Sequence, residues 1–426
     1  MENTEQSPAS SSVASGWINL WQAIPLYLRI LGGCALGVIV GLLLGEQAKA
    51  LQTPSRIVLQ LLAALAAPLI LTAVVQALTR AELPRGTAPR LLFLLLLNTL
   101  VAICIGILVA NVVRPGSWTP AEPPPAEAEQ AERKDVFALM LDNIPRSLLG
   151  PLGDNGKVIA VIMLAVAFGF AIRQLKDHPM TETALGLIEF TFAVLLVLLH
   201  WVIEIIPFAV FGIVASIVGT QGFDAFIRLG GFVVAVLIAL LLQTIYYLVR
   251  IRFASWVRPL DAVRGVRDAL VMAFSTASST ATMPLTYDCL RKNVGVRERS
   301  ASLGALVGAN FNNDGTALYE AMAALFISQT LGRDLTFEQQ LMVVLTSVVA
   351  SVGAAGIPEA GLVTMTLVFT AVGLPVEYIA ILLTVDWFLD RCRTAINVMG
   401  DVNVSCVLDG KTREAPAIEM PSAAGG

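Results

Sequence analysis

The residues with the most chemistry to offer in this 426-residue chain lie in an apolar stretch near its C-terminus. The segment 379–408 reads as one helical span, yet it holds Asp386, Asp390, Arg391, Arg393, Asn397 and Asp401. At about 100° per residue, with Asp386 as origin, Asp390 falls at about 40°, Arg393 at about −20°, Asn397 at about 20°, Asp401 at about 60° and Thr394 at about 80°. Arg391 stands apart at about 140°. Five strongly polar groups therefore share a face roughly 80° wide. A charge at the bilayer centre costs about 2.5–3.5 kcal/mol on insertion scales, so this face must look onto protein or a polar cavity. A structural ion-pair ladder would satisfy that requirement. Three aspartates against one arginine on the face nevertheless invite a bound cation or an ammonium group.

A second polar cluster interrupts the span 303–326: Asn310, Asn312, Asn313, Asp314, Gly315 and Thr316. Asparagines beside Asp-Gly cannot continue a good helix. They supply free carbonyls and side-chain oxygens, which suit ligation of a hard cation, although an exposed turn would use the same residues. A guanidinium offers a bidentate fork to a carboxylate. A carboxylate one turn away can take an α-ammonium, and the serines of the stretch Ser275–Pro284, near helix ends, suit a second carboxylate. An acidic amino acid carries all three groups.

The elements that must position these residues belong to a membrane. Hydrophobic residues make up 56% of the chain and charged residues 14%, against roughly 25% charged in an ordinary soluble domain. The fold class is an all-α polytopic membrane protein. Apolar helices fit about 24–45, 57–79, 90–113, 156–175, 185–219 and 226–250. The fifth is overlong, which predicts tilt or a break near Pro207. Between the third and fourth, 115–137 is rich in proline and glutamate and reads as a solvated loop. Arg80, Arg85 and Arg90 follow the second helix, and Arg250, Arg252, Arg258, Arg264 and Arg267 follow the sixth. Both basic loops share one side, the cytoplasmic one, and both termini join it if the second half adds two full crossings.

The second half repeats a different grammar. A short arm to Phe274 is followed by Ser275–Pro284 and another short arm to Leu290; Met342–Ala350 is followed by the small-residue tip Ser351–Pro358 and the arm Gly361–Leu374. Neither kind of arm crosses a core of about 30 Å, so each pair predicts a re-entrant hairpin whose exposed backbone lines a cavity. Two such hairpins in corresponding places, each followed by a polar-studded helix, are the pattern of an inverted-repeat secondary transporter.

Other chemistry lacks raw material. His178 and His200 are the only histidines. Cys34, Cys104, Cys289, Cys392 and Cys406 form no CxxC pair and read as packing residues. Gly156-Lys157 lacks the rest of a phosphate loop. With 28 Lys+Arg against 32 Asp+Glu, nucleic acid is not an expected partner. The chain reads as a non-enzyme, and residues 1–23 read as a disordered tail without a signal peptide.

The motifs Ser278-Ser279-Thr280, Asn312-Asn313-Asp314-Gly315-Thr316, Gly353-Ala354-Ala355-Gly356-Ile357-Pro358 and Asp386-Trp387-Phe388-Leu389-Asp390-Arg391-Cys392-Arg393-Thr394, with Asn397 and Asp401, resemble the dicarboxylate/amino acid:cation symporter family. That family includes the excitatory amino acid transporters and their prokaryotic relatives. The resemblance implies eight transmembrane helices with two re-entrant hairpins, in a homotrimer embedded in lipid. It implies a scaffold of 24–80 and 138–220. The transport domain would be 88–114 and 224–410, moving elevator-fashion, with cytoplasmic tails at 1–23 and 411–426. Arg393 would hold the substrate's side-chain carboxylate with Thr316 and Thr394 beside it. Asp390 would take the ammonium, and Asn397, Ser278 and Ser279 the α-carboxylate.

For Na+, the resemblance implies one site at Asp401, Asn312, Asn397 and the Gly308 carbonyl. A second would use Asp314, Asn312, Asn98 and Thr99, and a third the carbonyls of Ser351 and Val352 near Asn310. Relatives for neutral amino acids lack the arginine at 393 and those for plain dicarboxylates lack the aspartate at 390, so glutamate or aspartate is expected here. Glu320 is similar to a eukaryotic glutamate that accompanies H+ and K+ coupling. Arg391 also looks eukaryotic; some prokaryotic relatives carry an arginine where this chain has Ala277. Asn313 replaces a usual methionine, Leu95 a tyrosine and Asn98 a threonine. A proton-driven carrier, or an anion channel or sensor that retains the binding site, therefore stays open beside sodium symport at a plasma or bacterial inner membrane.

Overall fold

The computed structural model describes residues 24–80, 88–118, 144–145, 147–153, 158–222, 224–353 and 360–412. The expected tail 1–23, all but the first two residues of the expected tail 411–426, most of the expected loop 115–137, Arg85 and the residues 354–358 of the second tip lie outside these residues. Among the described residues every regular element is helical. Among the described residues, four stretches are long and apolar enough to cross a membrane: Leu28–Gln76, Pro89–Ser117, Thr181–Glu204 and Phe226–Ala254.

The first half follows the hydropathy closely. α1 (Leu26–Leu44) leads through a 3-10 turn to α2 (Thr53–Arg80), followed by α3 (Ala88–Val113), α4 (Val158–Gln174), α5 (Thr181–Glu204), α6 (Ile206–Gln221) and α7 (Asp224–Ala254). The overlong fifth span is two helices that part at Ile205, two residues before Pro207, whose ring occupies the first turn of α6 where no backbone donor is needed. The first residues assigned to the solvated loop are not solvated: Pro115 and Gly116 form a buried 3-10 turn, and the Gly116 amide donates to Gln329 at 3.2 Å.

Two packing groups emerge. α1 packs along α6, and α2 packs on α4, α5 and α6. The α1–α6 contact is close because it is made of glycine: a Cβ at Gly33 would lie 2.6 Å from the Pro207 carbonyl oxygen, and one at Gly37 would lie 2.8 Å from that of Phe211. Arg29 of α1 pairs with Glu204 of α5. In the other group, α3 and α7 surround the broken helices of the second half.

Those helices begin with α8 (Pro259–Gly265), then a helix–turn–helix pair, α9 (Arg267–Thr276) and α10 (Ser279–Cys289). The non-helical tip is narrower than Ser275–Pro284. Only Ala277, at φ 52°, and Ser278 leave the helical region. Ser278 caps α10 by accepting from the Ala281 amide at 3.1 Å, and Thr282 and Thr286 donate to carbonyls four residues back. Serine and threonine here feed helix ends and turns instead of opening a loop.

A π-helical stretch (Leu290–Val294), α11 (Glu298–Ala301), a second π-helical stretch (Ser302–Val307) and α12 (Gly308–Phe311) lead to a break at Asn312 and Asn313. Beyond it run α13 (Asp314–Thr330), α14 (Phe337–Gly353), α15 (Ala360–Ala371) and the 31-residue α16 (Ile379–Asp409). Every residue of α13 is buried, so Asp314, Thr316 and Glu320 face protein on all sides.

Candidate functional site

The break at Asn312–Asn313 is what the Asn-Asn-Asp-Gly sequence demands. Asn312 sits at φ −106°, ψ 61° and Asn313 at φ −91°, ψ 50°, outside the helical region. The freed groups are used at once. Asn313 donates to the Ser351 carbonyl at 2.9 Å, tying the break to the end of α14. Asn397 of α16 accepts from the Gly315 amide at 2.8 Å and donates to Asn313 at 3.3 Å and to Thr316 at 3.4 Å. Glycine at 315 permits this approach, since a Cβ there would lie 2.6 Å from the Arg393 carbonyl oxygen.

Arg393 lies at the centre with no solvent exposure. One guanidinium nitrogen donates to Asp386 and the other to Asp390, each at 2.8 Å, and its Cζ stands 3.9 Å over the Tyr319 ring. The polar face read from periodicity is thus an internal face, and Asp386 is the member whose place beside Arg393 no site assignment had included. Nε of Arg393 has no protein acceptor. Glycine at 361 lets the α15 backbone come close to the guanidinium: a Cβ there would lie 3.2 Å from Thr316 Cγ2 and 3.5 Å from Arg393 Nη2. Thr394 bonds back to the Asp390 carbonyl at 2.8 Å. One turn below Thr316, Glu320 accepts from Thr364 of α15 while its Oε2 has no protein partner. Ser279 donates to the Ala309 carbonyl at 3.3 Å, linking the first hairpin to α12. Arg391, on the other side of α16, donates to the carbonyls of Phe274 (3.0 Å) and Ser275, where it caps the C-terminal end of α9.

The oxygens assigned to cations divide into three cases. Asp401 accepts from Asn312 at 3.2 Å, lies against Gly308 where a Cβ would strike its carboxylate, and leaves Asn312 Oδ1 buried without a partner. A carboxylate, an orphaned amide oxygen and a bare backbone suit a hard cation. Asp314 differs: Thr99 donates to one oxygen at 2.7 Å and Tyr247 to the other. Asn98 makes no bond to Asp314: its side-chain oxygen accepts from Arg250 and its amide nitrogen has no partner among the described residues. Asn310 bonds to Leu306 of its own segment at 3.3 Å, and the Ser351 carbonyl is taken by Asn313; of Val352 only the helical backbone is described. Tyr247, Tyr319 and Thr364 escaped sequence reading because aromatic and threonine residues in apolar helices look like core.

A buried guanidinium between carboxylates, where two helical hairpins and a broken helix converge, marks the chain as a helical membrane protein built around an internal polar site. The sodium:dicarboxylate symporter family model matches residues 26–411, and the chain belongs to that family. It is 40% identical over 267 residues to an excitatory amino acid transporter of Caenorhabditis elegans, covering 61% of this chain and 52% of that protein. It is 39% identical over 254 residues to excitatory amino acid transporter 1 of Homo sapiens, covering 58% and 46%. A second Caenorhabditis elegans protein, whose name places it with the sodium-dependent excitatory amino acid transporters, is 31% identical over 444 residues, covering 88% of each. The matches to the first two relatives span about half the length of those proteins.

Proposed function

We propose that this protein is a secondary active symporter of acidic amino acids, glutamate or aspartate, driven by a sodium gradient. The carrying observation is Arg393, fully buried, bonded to Asp386 and Asp390 and packed beside Gly361 and Thr316. In water a guanidinium–carboxylate pair is worth little; buried, it must be satisfied in every state. A substrate side-chain carboxylate entering beside Thr316 takes over one acceptor position on Arg393. Asp390, released from that bond, takes the substrate ammonium. The substrate brings two carboxylates and one ammonium, a net negative charge that the co-transported cation offsets. Asn397 and the serines at the first hairpin tip receive the α-carboxylate. Asp401, Asn312, Asn397 and the Gly308 carbonyl would hold sodium, which supplies the positive charge that Asp401 otherwise lacks.

Membership in the family supports two further readings. The packing group of α1, α2 and α4–α6 serves as a scaffold in a homotrimer. The group of α3 and α7–α16 moves as a transport unit in a plasma or bacterial inner membrane, both termini being cytoplasmic. The partnerless Oε2 of Glu320 favours proton or potassium coupling as an added element of the cycle. Counterflow uptake in proteoliposomes, with sodium, proton and potassium gradients varied independently, tests the proposal. Exchange of glutamate and aspartate that requires sodium supports it; exchange indifferent to sodium and driven by protons alone would replace it with the proton-driven reading.

A further inference from the structure

The sequence groups Arg250 with the basic residues that follow the sixth span. In the structure α7 runs on to Ala254, and Arg250 lies within it, half-buried. Its Nη1 donates to the side-chain oxygen of Asn98 and, at 3.2 Å, to the Tyr246 hydroxyl. The next residue, Tyr247, donates to Asp314, and Thr99, next to Asn98, donates to the other Asp314 oxygen. Two adjacent residues on α3 and two on α7 therefore set a guanidinium and a buried carboxylate at opposite ends of one small network.

A sodium ion at Asn98, Thr99 and Asp314 would need lone pairs from all three. A hydroxyl can rotate to offer one, so Thr99 and Tyr247 are no obstacle. The Asn98 oxygen is different: it keeps a second lone pair, but its partner is a guanidinium that does not lose its proton, so sodium would share that oxygen with a fixed positive charge. A second cation there would meet a like charge in a medium that screens poorly.

We propose that Arg250 supplies the positive charge at this place, so that the protein works without a sodium ion between Asn98, Thr99 and Asp314. This rests on the symport reading. A tethered cation compensates Asp314 in every state but draws nothing from the ion gradient. Of the three sodium sites the family implies, at most two then do transport work. Each ion lost lowers the limiting accumulation by the factor of the gradient itself, about tenfold for a tenfold gradient.

The test counts sodium ions per substrate from reversal conditions in proteoliposomes, setting substrate gradients against sodium gradients until net flux stops. Two or fewer for the natural protein, one more for Arg250→Gln and no change for Arg250→Lys are expected. Three for the natural protein would overturn the proposal, as would an unchanged count in a well-folded Arg250→Gln. If Arg250→Gln elutes as aggregate, the count for the natural protein alone decides. Sodium-dependent thermal stabilisation of the purified protein needs no substrate: Arg250→Gln is expected to depend more steeply on sodium than the natural protein. That gain in a protein that moves no acidic amino acid would sink the symport reading and leave this inference standing; equal steepness in both would sink the inference.

Discussion

Arg393 on α16 and Arg250 on α7 both sit among packed helices, and they are held in opposite ways. Arg393 is wholly enclosed and bonded to two carboxylates. Arg250 is half-buried and bonded to neutral acceptors, an amide oxygen and a phenol. An arginine held by carboxylates can exchange one of them for a ligand carboxylate without changing the charge of its surroundings. An arginine held by neutral oxygens keeps its full charge and compensates a carboxylate it does not touch. The first suits recognition, and the second suits a permanent counter-ion.

The contrast sets an order of expected effects. Arg393→Gln strands Asp386 and Asp390 against each other, and breaking a buried pair costs about 3–5 kcal/mol. Uptake of acidic substrate should fall by at least about a hundredfold, with a large drop in thermal stability in detergent. A variant that kept both would mean Arg393 is not the organising charge. Gly315→Ala comes next. Its Cβ, 2.6 Å from the Arg393 carbonyl oxygen and 3.0 Å from Arg393 Cα, would force α13 off α16. Overpacking of this kind costs about 1–3 kcal/mol, readable in thermal unfolding.

Tyr247→Phe removes one donor from buried Asp314 and should cost about 1–3 kcal/mol, separating the hydroxyl's share from that of Arg250. The smallest effect belongs to a third arginine. Arg114 meets Asp334 at 2.7 Å with both side chains about half exposed or more. Arg114→Ala should change stability by less than about 1 kcal/mol, and the difference should vanish in high salt.

These arginines also show what a sequence can tell. Periodicity put Asp386, Asp390, Arg393, Asn397 and Asp401 on one face, and α16 buries all five. Composition located the break at Asn312–Asn313, and the proline explained the parting of α5 and α6. Each of these is a local property, written in neighbouring residues. What stayed hidden was pairing across long separations: Tyr247 with Asp314, Thr364 with Glu320, the Tyr319 ring with Arg393. Arg250 was hidden for another reason. A basic residue near the end of an apolar helix ordinarily marks the cytoplasmic side, and only the extension of α7 to Ala254 turns it onto Asn98. The first hairpin tip was overestimated because its threonines and serines cap helices as readily as they break them.

The central claim is that Arg393 recognises an acidic amino acid carried with sodium. Reconstituted protein should accumulate glutamate or aspartate against its gradient when sodium is high outside, and Arg393→Cys should lose that uptake while gaining a neutral amino acid such as serine. Robust acidic uptake by Arg393→Cys, or no accumulation by the natural protein under any imposed gradient, would contradict the account.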